Sequence, residues 1–345
     1  MEKRLEKAFK GKKILVTGGT GSIGSNIVKK LLDYKPDVIR VFSNDEDNTF
    51  KMKQQFKNSP NIRFLIGDIR DKERLILAME NIDLVYHAAA LKHVPLCEYN
   101  PFEAIKTNVI GTQNVIESSL NCGVKKVINI STDKAVNPVN TMGATKLLAE
   151  KCITDANEWK GLSETIYSSV RFGNVLFSRG SVIPLFEQQI CKNKEITLTD
   201  PDMTRFVMSI SNTIDLVFKA TLMAKSGEIF ILKMPVVKLN DLADITIEEY
   251  CSKYNIKKDE VNKKIIGPRV GEKTYEELMT ESEGKMAFET DEMLIVPPQI
   301  VLPDLSFNVT DYEGARQSSF ERYNSREVRP MSKKDIRKII FNHNE

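Results

Sequence analysis

The chain has 345 residues, and its 50 Lys and Arg against 47 Asp and Glu leave a net charge of +3. That balance argues against a polyanion binder, while a 41% apolar fraction is enough for a real core. The longest apolar runs are far too short to span a bilayer, and residues Met1 to Lys7 lack a signal-peptide core, so a cytoplasmic protein with no nucleic-acid or membrane partner is expected. Five scattered cysteines without a C-x-x-C pair indicate neither a disulfide framework nor a zinc site, and the three histidines, His87, His93 and His343, show no ligand spacing, so no metal is expected.

In chain order, Ile14 to Val16 reads as a strand, Ser25 to Asp33 as a helix, Val38 to Phe42 as a strand and Thr49 to Lys57 as a helix. Ile62 to Ile66 is the third strand, Asp71 to Glu80 a helix, Leu84 to His87 the fourth strand, Pro101 to Asn121 a long helix and Val127 to Ile130 the fifth strand. Thr141 to Trp159 follows as a long helix and Ser163 to Phe172 as a strand. This alternation predicts βαβ units and a parallel sheet with helices on both faces. After Arg171 the pattern changes: Gly180 to Pro184 breaks it, and short elements mix to about Leu278. The polar tail from Pro303 holds one short helix, Ser332 to Asn342, which either packs on the body or mediates assembly. The expectation is an α/β fold: a Rossmann-type doubly wound parallel sheet with a smaller α/β substrate-binding domain. Residues 1–175 form the dinucleotide-binding part, to which some later segments return. Residues 176–300 form mainly the substrate domain, and 301–345 the tail.

Thr17, Gly18, Gly19, Thr20, Gly21, Ser22, Ile23 and Gly24 follow the first strand and open a helix. Spaced glycines there permit a tight turn, let backbone approach a pyrophosphate and allow close helix–strand packing, and the helix start offers N–H groups to phosphate. The run points to a dinucleotide. At the end of strand two stand Ser43, Asn44, Asp45 and Glu46, with no carboxylate at the strand end itself and no Arg just beyond, so the 2′ position is undecided between a diol and a phosphate. Lys51 and Lys53 are near enough for a phosphate but read as solvated helix positions. Asp68, after strand three, is placed to meet the adenine. Ala88, Ala89 and Ala90 would let a cofactor lie against backbone.

The reacting end is the stretch Ser131 to Lys146. Asp133 and Lys134 stand at a strand's carboxyl end, where α/β folds place their ligands. An arbitrary Asp-Lys pair is usually a solvated ion pair. The strand end, the Pro-containing loop that follows and the nearby Lys146 favour a site. Met142 and Lys146 lie one helical turn apart on one face. Many short-chain dehydrogenases carry Tyr and Lys at those places. Met cannot transfer a proton, which leaves Asp133 and Lys134 to do so. Lys146 would hydrogen-bond the nicotinamide ribose and lower nearby pKa values.

With these residues the chain resembles the extended short-chain dehydrogenase/reductases, and within them the UDP-N-acetylglucosamine 4,6-dehydratases. The matching stretches are Thr17 to Gly24, Ala90 to Pro95, Glu98 to Pro101, Lys106 to Asn108, Ser131 to Lys146, Arg171 to Val175, Thr199 to Phe206, Gly271 to Lys273 and Glu276 to Leu278. One branch of that family carries Met where Met142 stands. Most members carry Arg where Asn44 stands, and that Arg favours NADP; its absence weakens NADP against NAD.

The resemblance implies an internal redox cycle. Hydride leaves sugar C4 for the nicotinamide, the ketone acidifies the C5 proton, the C6 hydroxyl leaves as water, and hydride returns to C6. It implies Asp133 as the acid at C6, Lys134 as the base at C5 if burial lowers its pKa, and Lys146 and Thr132 at O4. The cofactor, NADP or NAD, would contact the glycine run, Ser43, Asn44, Asp68, Ile69, Ala88 to Ala90, Lys92, Asn108 and Lys146. The UDP-sugar would meet Lys92, His93, Asn174, Ser181, Val182, Arg205, Arg269 and Glu272. Arg205 and Arg269 suit a diphosphate by their bidentate fork. Assembly as a dimer or hexamer is implied. A 4-epimerase of the same fold, which normally uses the missing Tyr, and a non-catalytic dinucleotide sensor are the competing expectations.

Overall fold

The computed structural model describes residues 1–178, 180–299 and 307–341; the start of the expected tail, the end of its helix at Asn342, and His343 lie outside them. Six strands alternate with helices as the periodicity requires: β1 (Lys13–Thr17), β2 (Val38–Ser43), β3 (Ile62–Ile66), β4 (Leu84–His87), β5 (Lys126–Ile130) and β6 (Ile166–Arg171). Then come β7 (Asn174–Val175), β8 (Glu195–Leu198), β9 (Thr204–Met208), β10 (Ile229–Leu232), β11 (Val236–Lys238), β12 (Asn262–Ile265) and β13 (Glu277–Met279). The last four are β14 (Phe288–Glu289), β15 (Met293–Val296), β16 (Arg316–Gln317) and β17 (Tyr323–Asn324).

The main sheet has the order β16-β14-β15-β10-β6-β5-β4-β1-β2-β3. From β3 to β10 its neighbours are parallel, whereas β15, β14 and β16 add antiparallel pairs. Late segments thus return to the first sheet. The order 3-2-1-4-5-6 is that of a doubly wound dinucleotide fold. Buried on both faces, β1 and β4 read as continuous apolar runs, Ile14 to Val16 and Leu84 to Tyr86, while the edge strand β3 exposes Arg63 and Ile66. Ile14 and Val16 pack on one face with Ile27, Val28 and Phe218, while Leu15 packs on the other with Leu75, Ile153 and Tyr167. Smaller sheets β11-β9-β7 and β12-β8 border a second core built on Ile183, Phe186, Ile190, Leu242 and Tyr250, while β13-β17 packs Leu278, Met279 and Tyr323 into the first.

The helices are α1 (Glu2–Phe9), α2 (Ser22–Leu31), α3 (Glu46–Gln55), α4 (Lys72–Met79), α5 (Val94–Tyr99), α6 (Pro101–Ile105), α7 (Gly111–Asn121), α8 (Thr141–Trp159), α9 (Val182–Asn193), α10 (Ile210–Met223), α11 (Leu239–Tyr254), α12 (Glu281–Gly284) and α13 (Lys333–Phe341). α5 is not among the expected helices, and α3 starts three residues before the expected Thr49; four further differences have identifiable reasons. The charged start is α1, whose Leu5 and Phe9, four residues apart, are buried, with the Phe9 ring 4.9 Å from Phe218. α2 begins at Ser22 because the glycine turn itself leads into the helix. The expected helix Pro101 to Asn121 contains a π turn at Lys106–Ile110, which lets Asn108 face inward. Gly180 to Pro184 is a helix start, since Pro184 falls in the first turn of α9, where an N–H has no intrahelical partner. α13 packs on α11, its Ile336 and Ile340 in the second core, so the tail helix belongs to the body. Among the described residues, no helix is long and apolar enough to cross a membrane.

Candidate active site

The glycine turn fits a dinucleotide. Gly18 has φ +62°, and a Cβ there would stand 2.7 Å from Ala89 backbone; on Gly24 it would stand 2.4 Å from the Gly18 carbonyl. α2 is therefore seated hard against β1 and β4. Gly21 caps it without a side-chain bond, and no carboxylate stands in its first turn, so the positive helix end is open to an anion. One cavity of about 710 Å³ joins Gly18, Gly21, Ser22, Ile23, Gly24, Ala88 and Ala90 to Thr132, Lys134, Met142 and Lys146. The same cavity continues past Lys92 and His93 to Asn174, Ser181, Val182, Arg205, Arg269 and Glu272.

The expected adenosine contacts lie beside the turn. Thr20 Oγ1 and Ser43 Oγ are 2.7 Å apart, and Asn44 Nδ2 donates to Asp68 Oδ2 at 3.1 Å. The Arg70 guanidinium on Asp68 holds that carboxyl below its ordinary range. Ile69, by contrast, is buried in the core below Gly111. Gly19 abuts Val41, and Thr17 points to His87, with its Oγ1 2.8 Å from Nδ1. His87 Nε2 is 3.0 Å from Thr112 Oγ1, which itself donates to the Asn108 carbonyl. That direction assigns the ring proton to Nε2 and lets Nδ1 accept from Thr17. Burial, helped by Lys146, pushes His87 down to about 3, so it is a neutral strut. Asn108 ties the loop after β4 to α8 through the Leu91 backbone (2.8 and 3.0 Å) and Thr145 Oγ1 (3.0 Å).

The reacting groups stand where β5 ends. Asp133 is fully buried and lies behind the cavity wall, while Thr132 and Lys134 line it. Asp133 Oδ1 accepts from Thr132 Oγ1 (2.7 Å) and Lys134 Nζ (3.0 Å); its Oδ2 has no partner among the described residues. Lys134 also faces Glu276 Oε1 at 3.5 Å. Burial pulls the Lys134 ammonium down, but Asp133 and Glu276 outweigh it and leave it above its ordinary range. The free site therefore holds an ammonium, and the amine expected from burial alone is not its resting form. Met142 is buried against Cys97 and Ala104, with its surface on the cavity. At the far end, Glu272 Oε1 is 3.4 Å from Arg205 Nη2, and its Oε2 accepts from the Arg269 N–H at 3.1 Å. Gly180 covers His93.

Lys146 donates to the Ile130 carbonyl at 2.6 Å. Burial pushes it down to about 8, against the pull of Glu150 one turn on. Between that value and the ordinary Lys range the unfolded chain binds a proton the folded chain lacks, so this residue's contribution to stability rises with pH there. At neutral pH folding must bury a charge. Lys146→Met is expected to stabilise the protein by about 1–3 kcal/mol at pH 7 and to flatten that rise. Denaturant midpoints near pH 7 and pH 9.5 check this; a lower midpoint for the variant at neutral pH would mean that the Ile130 bond outweighs the burial.

Sequence reasoning passed over His87 and Thr112, and it noticed Glu276 only as part of a matching stretch. No local pattern distinguishes a buried Glu from an exposed one.

A doubly wound sheet, a glycine turn and a strand-end Thr-Asp-Lys on one cavity define a dinucleotide-dependent enzyme class. The matching family model, described as polysaccharide biosynthesis protein, covers residues 14–298. The chain is 53% identical over 332 residues to a Methanocaldococcus jannaschii protein described as an uncharacterized membrane protein, with 96% of each covered. It is 42% identical over 344 residues to an inverting UDP-N-acetylglucosamine 4,6-dehydratase of Campylobacter jejuni, covering 98% of this chain and 99% of that one. A UDP-glucose 4-epimerase of Rickettsia felis is 39% identical, with 97% and 96% covered. The crystal structure of Pen from Bacillus thuringiensis superposes with a TM-score of 0.89 at 48% identity, over 97% of this chain and 98% of that one. The chain belongs to the polysaccharide biosynthesis protein family.

Proposed function

We propose that this chain is a UDP-N-acetylglucosamine 4,6-dehydratase that yields a UDP-4-keto-6-deoxy sugar with inversion at C5. The observation that carries the reading is the strand end Thr132-Asp133-Lys134: Thr132 and Lys134 line the cavity that begins at the glycine turn, and Asp133 is hydrogen-bonded to both from behind its wall. The 42% identity to the inverting dehydratase, over nearly the whole chain, supports the substrate and the outcome.

A bound nicotinamide dinucleotide, NADP or NAD, would supply the acceptance of hydride from C4 and its return to C6. The residues of the chain do the rest. Gly18 to Gly24 hold the pyrophosphate of the cofactor, and Lys146 holds its ribose. Thr132 orients O4. Lys134 takes the C5 proton and Asp133 protonates the departing C6 hydroxyl; Asp133 is shut off from bulk water, while Lys134 keeps 24% of its side chain exposed on the cavity. Arg205 and Arg269 hold the diphosphate of the sugar. Residues 1–175 bind the cofactor and 176–300 mainly the sugar nucleotide. The same reading makes the protein a cytoplasmic homo-oligomer, dimer or hexamer, serving surface polysaccharide or glycan synthesis.

Met142 counts against an epimerase of the usual kind, which uses a Tyr there; the dehydration releases the same C4 hydroxyl proton, for which Lys146, Lys134 or a water relay are the acceptors. Incubation of the purified chain with UDP-N-acetylglucosamine, followed by mass spectrometry and NMR, tests the proposal. Loss of one water with a new methyl signal is expected. An isobaric isomer would make it an epimerase, and olefinic protons would mean arrest at a 5,6-unsaturated sugar. Recovery of unchanged substrate would overturn the substrate assignment.

A further inference from the structure

Glu276 stands immediately before β13 with only 4% of its side chain exposed. Its Oε1 lies 3.5 Å from Lys134 Nζ and 3.8 Å from Arg205 Nε. Its Oε2 is buried and has no hydrogen-bond partner among the described residues. The backbone is fixed independently of Lys134: the Glu276 N–H donates to Ser325 Oγ at 3.0 Å, and the Ser325 N–H donates to the Glu276 carbonyl at 2.8 Å. Lys134 thus sits between two buried carboxyl groups, Asp133 on one side and Glu276 on the other.

The elimination needs a neutral amine on Lys134 and a proton on Asp133. With Glu276 ionised, the ammonium faces two carboxylates, and its proton is held. With Glu276 neutral, that proton can cross to Asp133 along the existing 3.0 Å hydrogen bond. The N–H bond breaks, an O–H bond forms, and the ion pair becomes a neutral pair without change of net charge.

We propose that Glu276 is a positioning residue of the dehydration site, which holds Lys134 beside Asp133 and, only in its neutral form, permits the proton of Lys134 to pass to Asp133. The inference rests on the dehydratase reading. In the elimination that follows, Lys134 takes the C5 proton, the C–H electron pair forms the C5–C6 double bond, and the C6–O bond breaks as Asp133 gives its proton to that oxygen. Water leaves and the ion pair is restored, so the elimination itself needs no outside proton. Burial holds the Glu276 carboxyl above the ordinary range; Lys134, Arg205 and Lys273 pull it down, and Asp133 reinforces the rise. Among the described residues, those four charged groups act on it most strongly, from the loop after β5, from β9 and from the segment before β13.

The test uses the full chain with Glu276→Gln, measuring kcat for UDP-N-acetylglucosamine from about pH 6 to pH 10, with infrared difference spectra of the resting proteins. The alkaline limb is expected to move up by about one pH unit, so that the rate beyond the wild-type limb rises about tenfold. The wild type is expected to show a protonated-carboxyl stretch that fades through its own limb and is missing from Glu276→Gln. Glu276→Asp, which keeps a titratable group, is expected to retain the limb. Superimposable pH profiles, or no protonated-carboxyl signal from Glu276 at neutral pH, would overturn the proposal. Wild type that leaves the sugar unchanged would instead sink the dehydratase reading, and the infrared titration would still decide whether Glu276 holds a proton beside Lys134.

Discussion

Asp133→Asn is expected to slow water loss by about 10²–10⁴-fold, the usual contribution of a positioned general acid. The substitution keeps size and shape. An amide oxygen in place of Oδ1 still accepts from Thr132 and Lys134, as the carboxylate does at 2.7 and 3.0 Å. The amide nitrogen then takes the place of Oδ2, which has no partner among the described residues and lies toward Gly173. An amide is far too weak an acid to protonate a departing hydroxyl, so the step at C6 stops. Lys134 also loses the carboxylate at 3.0 Å that does most to keep it charged, and its ammonium moves down. Removal of the C5 proton should therefore survive better than loss of water. Product formation by NMR and deuterium exchange at C5 measure the two steps separately. Unaltered turnover would discard the role of Asp133, and equal loss of both steps would point to a misplaced substrate.

How far the sequence revealed this site depends on the kind of signal. β1 and β4 were readable because strands buried on both faces are unbroken apolar runs, as Ile14 to Val16 shows, and the other four because short β-branched runs alternate with helical stretches. α8 was readable to its ends because Asn140 caps it through the Gly143 N–H and its apolar spacing is helical throughout. The glycine turn carries its own explanation in positive φ and close backbone approach. What stayed hidden is set by distant partners. Asn108 turns into the core through a π turn only because Leu91 and Thr145 await it. Glu276 becomes part of the site through pairing across β13 and Ser325, more than 140 residues along the chain from Lys134. The charge on Lys134 is likewise a product of tertiary neighbours: burial alone predicts a neutral amine, and the two carboxyls reverse it. The dipeptide could indicate who reacts, but not in which protonation state.

Arg171→Met is expected to destabilise the protein by about 3–5 kcal/mol, because it strands two buried carboxylates. Arg171 closes β6 and is 1% exposed. Its guanidinium donates to Glu150 at 3.1 and 2.6 Å, to Glu283 at 3.2 and 3.1 Å, and to the Leu278 carbonyl at 2.8 Å. These contacts use all five of its donors, which is why Lys, with three, cannot replace it. They join α8, the main sheet, β13 and α12 at one point, and Glu150 is the next turn of the helix that carries Lys146. In the wild type, burial raises the Glu283 carboxyl but Arg171 overcomes it and leaves it low, so this stabilisation is present above the unfolded carboxylate range and fades as pH falls through the folded value. In Arg171→Met only the Thr280 hydrogen bonds oppose burial at Glu283. The Glu283 carboxyl then moves up, and the variant gains stability as acid neutralises it. The deficit should therefore be largest near pH 7 and shrink toward pH 5, which denaturant midpoints at the two values measure. Adding Glu150→Gln and Glu283→Gln to Arg171→Met should recover much of the loss at pH 7, because the penalty comes from unpaired charge more than from lost contacts. Equal midpoints for wild type and Arg171→Met would mean that water reaches the cluster and the buried description is wrong, and failure of the glutamines to rescue would assign the loss to packing.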